Sequence, residues 1–293
     1  MHIQCSVAIL LAYLRPWSVK KRRGAKGFPV TFIFLLLLCR PSLATLVICI
    51  TGNDAIYVAS DSLVTPGYGE PFRSPKIFCV SNSCCFYMTG FGGACIKNAT
   101  TGKVSSSLAT DLQEICASVS VKSDPIEMRV EDVISQFQSK HKESFNKMIS
   151  AGETNANGIT HVGVMGYSDS RKFFFGSEYV FDGTNASVTQ NNIGNKGVLT
   201  NAGPFTFTGE NNFLSSLLQD AKLMRELPSD DFRQTVQDIW MKTTVSQERM
   251  KSCILEMFTL QEKHAIALRY DQHVIGGPYV IYKITKDKTI EIN

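Results

Sequence analysis

The order of elements predicts an α+β layered domain. Strand signals come first, two helices follow, then strands, further helices and a closing strand pair, which is not the strict alternation of a parallel sheet. Two further observations agree. The 293 residues are 44% hydrophobic and 19% charged with mean hydropathy −0.02, a globular composition long enough to bury a core. No internal repeat and no linker rich in Pro, Gly or Ser divides the chain. The same composition excludes collagen, coiled coil and bulk disorder.

The first 44 residues read as an address. Lys20 to Lys26 (KKRRGAK) is a positively charged n-region, and Phe28 to Cys39 (FPVTFIFLLLLC) is a mostly apolar stretch of twelve residues. Arg40 and Pro41 break it. Ser42-Leu43-Ala44 then sets small residues at both positions that a signal peptidase inspects. The apolar run is shorter than the ~20 residues of a spanning helix. The expectation is a leader over 1–44 that is removed, a single domain over 45–293 that begins with Thr45, and export to a secreted or periplasmic location. If the leader is retained, it is the expected membrane attachment. Seven of the 30 basic residues lie in 1–44, which holds no acid, so 45–293 carries 23 basic against 26 acidic residues. That balance excludes a basic nucleic-acid footprint on the body of the protein.

Along the body, Thr45 to Ile50 (TLVICI) is a near-continuous apolar run, as expected for a strand buried on both faces. The turn residues Thr51-Gly52-Asn53-Asp54 lead into a second strand at Ala55 to Ala59, giving a hairpin. Lys76 to Val80 and Cys84 to Thr89 form another strand pair around Ser81-Asn82-Ser83, ending in Gly90-Phe91-Gly92-Gly93. The apolar spacing of Leu108, Leu112, Ile115, Cys116 and Val119 predicts a helix over about 106–119. Asp124-Pro125 opens a second helix with the stripe Val130, Val133, Ile134, Phe137, Phe145 and Met148. Strands resume at Ile159 to Tyr167, Lys172 to Phe181 and near Gly197 to Thr200. One helix then carries Phe213, Leu214, Leu217, Leu218 and Ala221, and the next is capped by Ser229. A last helix covers about 247–269, and Gly276-Gly277 leads into strands at Tyr279 to Ile284 and Thr289 to Ile292.

Seven cysteines follow residue 44: Cys49, Cys79, Cys84, Cys85, Cys95, Cys116 and Cys253. An exported protein can pair some of them, and the odd count leaves at least one without a partner in the chain. Most sit in apolar runs and are expected as small buried hydrophobes. No CxxC occurs, and His264, Asp271 and His273 lack zinc-type spacing, so neither a metal nor a cofactor is expected. No G-x-S-x-G elbow or phosphate loop is present. Asn98-Ala99-Thr100 and Asn185-Ala186-Ser187 match short glycosylation acceptors.

The residues that carry chemistry lie near the start of the body. A threonine hydroxyl becomes a competent nucleophile when a base takes its proton, and a free α-amine on the same residue can be that base. Cleavage after Ala44 would free the amine of Thr45. Asp61 closes the second strand, Lys76 opens the third, and Gly92-Gly93 allows close backbone approach to a reacting carbonyl. Taken singly, Thr45 is an ordinary strand opener, Asp61 a strand end and Lys76 an edge residue. Their joint placement behind a cleavage site carries the catalytic reading.

Thr45 with TLVICITGNDAIYVASDS, then Lys76-Ile77, then MTGFGGA, resembles the catalytic β-subunits of proteasomes, and the bacterial proteasome-like peptidase subunits in particular. The interval from Thr45 to Asp61 matches the family interval without a gap, and Lys76 falls one residue short of the family lysine. The C-terminal IGGPYVIYKI is similar to a Gly-Gly strand of the family. The resemblance implies a four-layer αββα sandwich, two antiparallel sheets flanked by helices, with the catalytic set Thr45, Asp61, Lys76 and Gly92. It implies substrate-side roles for Thr65, Gly93 and Ala94, a peptide or amide substrate, and leaves open a homo-oligomer. Three positions depart from the family pattern. Asn201-Ala202-Gly203 stands where the family has Gly-Ser-Gly, Gln272 where it has aspartate, and Ile275 where it has serine. The expected function is an exported threonine-type N-terminal nucleophile hydrolase, activated by cleavage before Thr45. The alternative is a non-catalytic relative that acts as a binding or assembly module, which Ala202, Gln272 and Ile275 favour.

Overall fold

The computed structural model describes residues 45–64, 72–90, 92, 96–97, 104–150, 157–169, 171–182, 185, 187–198, 204–209, 212–227, 229–267 and 275–292. The chain divides into two units, Met1–Arg40 and Pro41–Asn293, and every described residue belongs to the second. The expected leader, Thr65, Gly93, Ala94, Ala202 and Gln272 lie outside the described residues, as do Cys95 and the acceptor at Asn98.

The strands are β1 (Leu46–Thr51), β2 (Ile56–Asp61), β3 (Leu63–Val64), β4 (Phe72–Arg73), β5 (Ile77–Ser81), β6 (Cys84–Gly90), β7 (Ile96–Lys97) and β8 (Val104–Ser106). The helices α1 (Leu108–Ser120) and α2 (Ile126–Ser150) follow, then β9 (Asn157–Ser168), β10 (Arg171–Asp182), β11 (Ser187–Val198) and β12 (Phe205–Gly209). The chain closes with α3 (Asn212–Gln219), α4 (Ala221–Glu226), α5 (Asp230–Trp240), α6 (Gln247–Ala267), β13 (Tyr279–Ile284) and β14 (Thr289–Glu291). Two five-stranded sheets result, ordered β12-β1-β2-β13-β14 and β11-β10-β9-β6-β5, and every pairing in them is antiparallel.

Strand alternation turns these sheets into layers, because successive side chains leave a strand on opposite faces. Val47 and Cys49 of β1 and Ile56 and Val58 of β2 meet Ile77, Cys85, Tyr87 and Met165 of the other sheet. The intervening Leu46, Ile48, Ile50, Tyr57 and Ala59 pack against α3, α5 and α6 through Leu214, Leu217, Phe232, Val236, Ile254 and Phe258. On the far side, Phe78, Val80, Phe86 and Met88 pack against Leu112, Ile115 and Val119 of α1 and Val133 and Phe137 of α2. Helices, sheet, sheet and helices therefore form the expected αββα sandwich. It is also why Leu46 to Ile50 is apolar at every position: both faces of β1 are covered. Among the described residues no helix is long and apolar enough to cross a membrane.

Helix starts follow their capping chemistry. Ser107 accepts from Thr110 N at 3.2 Å and Ser229 from Phe232 N at 3.2 Å. The expected single helix through Ala221 is divided, because Asp220 accepts from the backbone of Lys222 and Leu223 and starts α4 anew. The strand expected near Gly197 instead begins at Ser187 and pairs with β10 over Ser187–Val198. Its polar sequence, SVTQNN, shows no hydrophobic alternation, as suits an edge strand. β12 was not anticipated, although Phe205-Thr206-Phe207-Thr208 has the required alternation. Of the cysteines, Cys49, Cys84, Cys116 and Cys253 are buried thiols, while Cys79 and Cys85 face each other across β5 and β6 and are joined as a disulfide.

One buried histidine makes the fold sensitive to acid. His141 of α2 is 2% exposed, stacks on Tyr179 with ring centroids 5.0 Å apart, and lies against Phe137 and Phe181. Burial pushes its pKa down from 6.5 to about 4, so it sits neutral in this cluster. The unfolded chain takes up the proton near pH 6.5 and the folded chain only near 4, so stability is lost as the pH falls through that window. The loss attributable to this one group is about 3 kcal/mol. In urea titrations at pH 7 and pH 4, His141→Phe is expected to narrow the wild-type drop in stability by about that amount. Identical pH dependence in the two proteins would refute the assignment.

Candidate active site

Antiparallel pairing carries β2 to its last residue, Asp61, and the chain returns to β5 directly after Lys76. Both side chains are buried, at 0% and 3% exposure. A charge taken out of water must be paired and hydrogen-bonded, and these two are. Lys76 Nζ donates to Asp61 Oδ1 at 3.0 Å and to the Leu63 carbonyl at 2.5 Å. The backbone N–H of Leu46 donates to the same Asp61 Oδ1 at 2.9 Å. One carboxylate oxygen thus ties the start of β1 to the lysine, and the residue directly before that tie is Thr45, which is 5% exposed.

The electrostatics follow from burial. It pushes the Lys76 ammonium below the ordinary lysine range, and the Asp61 charge opposes the shift. It pushes the Asp61 carboxyl up, opposed by the Lys76 charge and by the backbone N–H groups of Leu46 and Gly276. Lys76 is the one lysine among the described residues that is buried. The arrangement holds the Lys76 ammonium on the carboxylate that receives the Leu46 N–H, in a region where water does not screen it.

Neighbouring strands fix the junction from both sides. Gly209 of β12 pairs with Leu46 at φ +93°, and a Cβ there would lie 1.8 Å from the Thr45 carbonyl oxygen. Only glycine lets β12 close over this point. Tyr279 of β13 is directly opposite Asp61, donates its hydroxyl to Glu262 Oε2 at 3.0 Å, and stacks on Phe258 of α6 at 4.3 Å. Ser62 accepts from Arg73 Nη1 at 3.1 Å, and its carbonyl accepts from Ser74 N at 2.9 Å. None of Gly209, Tyr279, Glu262, Ser62 and Arg73 was singled out from sequence. The β12 alternation ending at Gly209 was the available signal; the others carry none that a single sequence displays.

The expected site residues thus divide. Asp61 and Lys76 meet at one carboxylate oxygen, which also accepts the N–H of Leu46, the residue after Thr45. Gly92 lies just beyond β6, its carbonyl accepting from Leu108 N at 3.1 Å, and a Cβ built on it would meet nothing within 4 Å among the described residues. Packing among the described residues therefore does not demand a glycine here. Ile275 is 1% exposed in the helix-side core, so an apolar side chain fills the place where a hydroxyl was expected from the resemblance. His264 stacks on Phe213, with ring centroids 4.6 Å apart.

A buried pair of this kind couples its two members strongly. Lys76→Met strips the partner from a fully buried carboxylate and is expected to cost about 3–5 kcal/mol. Adding Asp61→Leu to that variant is expected to restore a large part of the loss, which a denaturant double-mutant cycle measures as a coupling well above 1 kcal/mol. Additive losses would show that the pair does not act as a unit.

Neither a protein-family model nor a curated protein matches the chain. Among solved structures, it is similar to Anbu (ancestral beta-subunit) from Yersinia bercovieri, at 12% identity over 85% of this chain and 87% of that chain, with a TM-score of 0.41. It is similar to the Anbu complex from Pseudomonas aeruginosa, described as a helical assembly, at 13% identity over 85% and 86% with a TM-score of 0.45. Anbu from Hyphomicrobium sp. strain MC1 gives 10% identity over 85% of each chain and a TM-score of 0.40. Likenesses at this level carry no weight on function.

Proposed function

We propose that residues 45–293 form a threonine-type N-terminal nucleophile hydrolase acting on peptide or amide bonds, activated by cleavage before Thr45 after export. The observation that carries this reading is the junction at Asp61 Oδ1, which receives both Leu46 N and Lys76 Nζ one residue from the candidate nucleophile. Cleavage frees an α-amine whose ordinary pKa is about 7.7–8.0. The Lys76 cation lowers that value and raises the neutral fraction near pH 7. The amine takes the proton of Thr45 Oγ as Oγ bonds to the substrate carbonyl carbon. The oxyanion is held by the Gly92 N–H, with Thr65, Gly93 and Ala94 along the substrate backbone. Collapse breaks the C–N bond as the ammonium returns its proton to the leaving nitrogen. Water, deprotonated by the same amine, then cleaves the acyl ester and regenerates Thr45. Asp61 holds Lys76 in place throughout.

Self-association belongs to the same proposal through the resemblance to ring-forming subunits, and light scattering of the mature chain measures it. The competing reading, a non-catalytic binding or assembly module, draws on the buried apolar Ile275.

The experiment is N-terminal sequencing and intact mass of the exported protein, followed by treatment with a peptide epoxyketone, which needs a hydroxyl and a free amine on one residue. The expected result is a chain that starts at Thr45 and an adduct on its first peptide. Thr45→Ala abolishes the adduct, and Lys76→Ala slows it by about 10²–10⁴. A start elsewhere rejects activation by cleavage before Thr45. A start at Thr45 without an adduct selects the binding module.

A further inference from the structure

Two cations stand at the junction, and they are committed differently. The Lys76 ammonium is buried and donates to Asp61 and Leu63. Arg73 lies directly across the β3–β4 ribbon from Leu63, the residue whose carbonyl anchors Lys76, and is exposed. Its Nη1 donates to Ser62 Oγ at 3.1 Å, and Ser62 follows Asp61 in the chain. The backbone bond from Ser74 to Ser62 fixes the ribbon at this point. No carboxylate among the described residues pairs with Arg73, whereas Arg249 is held by Asp231 and Asp238 and Arg233 by Asp230. A guanidinium has five N–H donors in a planar fork matched to a carboxylate. One hydroxyl uses a single donor and steadies the fork without neutralising it.

We infer that Arg73 receives an acidic side chain of the substrate, so that the site selects peptides with aspartate or glutamate beside the scissile bond. This rests on the hydrolase reading above and names its substrate class. Residues 45–293 carry a net charge of −3, so a preference for acidic peptides has no source in the overall charge and needs a local cation.

The test uses the mature protein and three peptide epoxyketones that differ in one side chain beside the electrophile: glutamate, leucine or lysine. Labelling rates are read from the mass of the Thr45 peptide. The glutamate probe is expected to label at least about tenfold faster than the leucine probe, with the advantage shrinking as salt is raised. In Arg73→Gln, which can still donate to Ser62, the glutamate-to-leucine ratio falls about tenfold. In Arg73→Glu the preference passes to the lysine probe. Using ratios cancels any general damage from the substitution. Equal wild-type rates for glutamate and leucine, or ratios unmoved by both variants, overturn the inference while labelling of Thr45 keeps the hydrolase reading. Failure of all three probes to label wild-type Thr45 overturns that reading and this inference with it.

Discussion

The constraint on which the rest depends is the shared acceptor at Asp61. A carboxylate at 0% exposure cannot stay ionised without partners, and it takes them from two segments that sequence keeps 15 residues apart on either side. The N–H of Leu46 fixes where β1 begins. The ammonium of Lys76 fixes where β5 begins. β1 and β5 belong to different sheets, so this one group pins the two sheets together at one end of the sandwich. Tyr279 opposite Asp61, bound to Glu262, extends the same tie to α6. Strands from both sheets and a helix thus converge on the point just after Thr45.

The layers explain why that point can be so well buried. A sheet covered on both faces has no need of polar alternation, and β1 and β2 show none. Their apolar interior sides make the contact between sheets, and their other sides carry α3, α5 and α6. The cost of such packing is that any backbone approaching it must be slim. Gly209 meets that requirement against the carbonyl of Thr45, and its positive φ shows that the fit was made in the backbone.

Much of this was legible in the sequence. TLVICI, the turn at Gly52-Asn53-Asp54, the Ser229 cap and Asp124-Pro125 each carry a local physical signal, and each marks an element that forms. Asp61 and Lys76 were legible singly as a strand end and a strand start, and as a pair only through the resemblance to proteasome β-subunits. What escaped has a common character. β11 is polar and lies at a sheet edge, so no hydrophobic period announces it. The break at Asp220 is a cap inside an unbroken apolar stripe. Tyr279, Glu262 and Arg73 matter only for what lies across from them, and that is set by strand register and helix packing rather than by neighbours in sequence.

The buried pair also argues about purpose. Replacing a buried ion pair with well-packed apolar residues is commonly neutral or stabilising by 1–4 kcal/mol, so stability alone gives little reason to keep one. Around Asp61 and Lys76 the alternatives are close at hand: Ala59, Ile77 and Ile275 are all apolar and all nearly inaccessible. A core so ready to accept carbon holds a lysine instead, against burial that disfavours its charge. The favourable term is therefore sought outside folding, and under the proposed function it is the effect of the Lys76 cation on the amine of Thr45. Under the same proposal the two cations divide the labour: Lys76, enclosed, acts on the protein's own atoms, and Arg73, exposed, meets the substrate's.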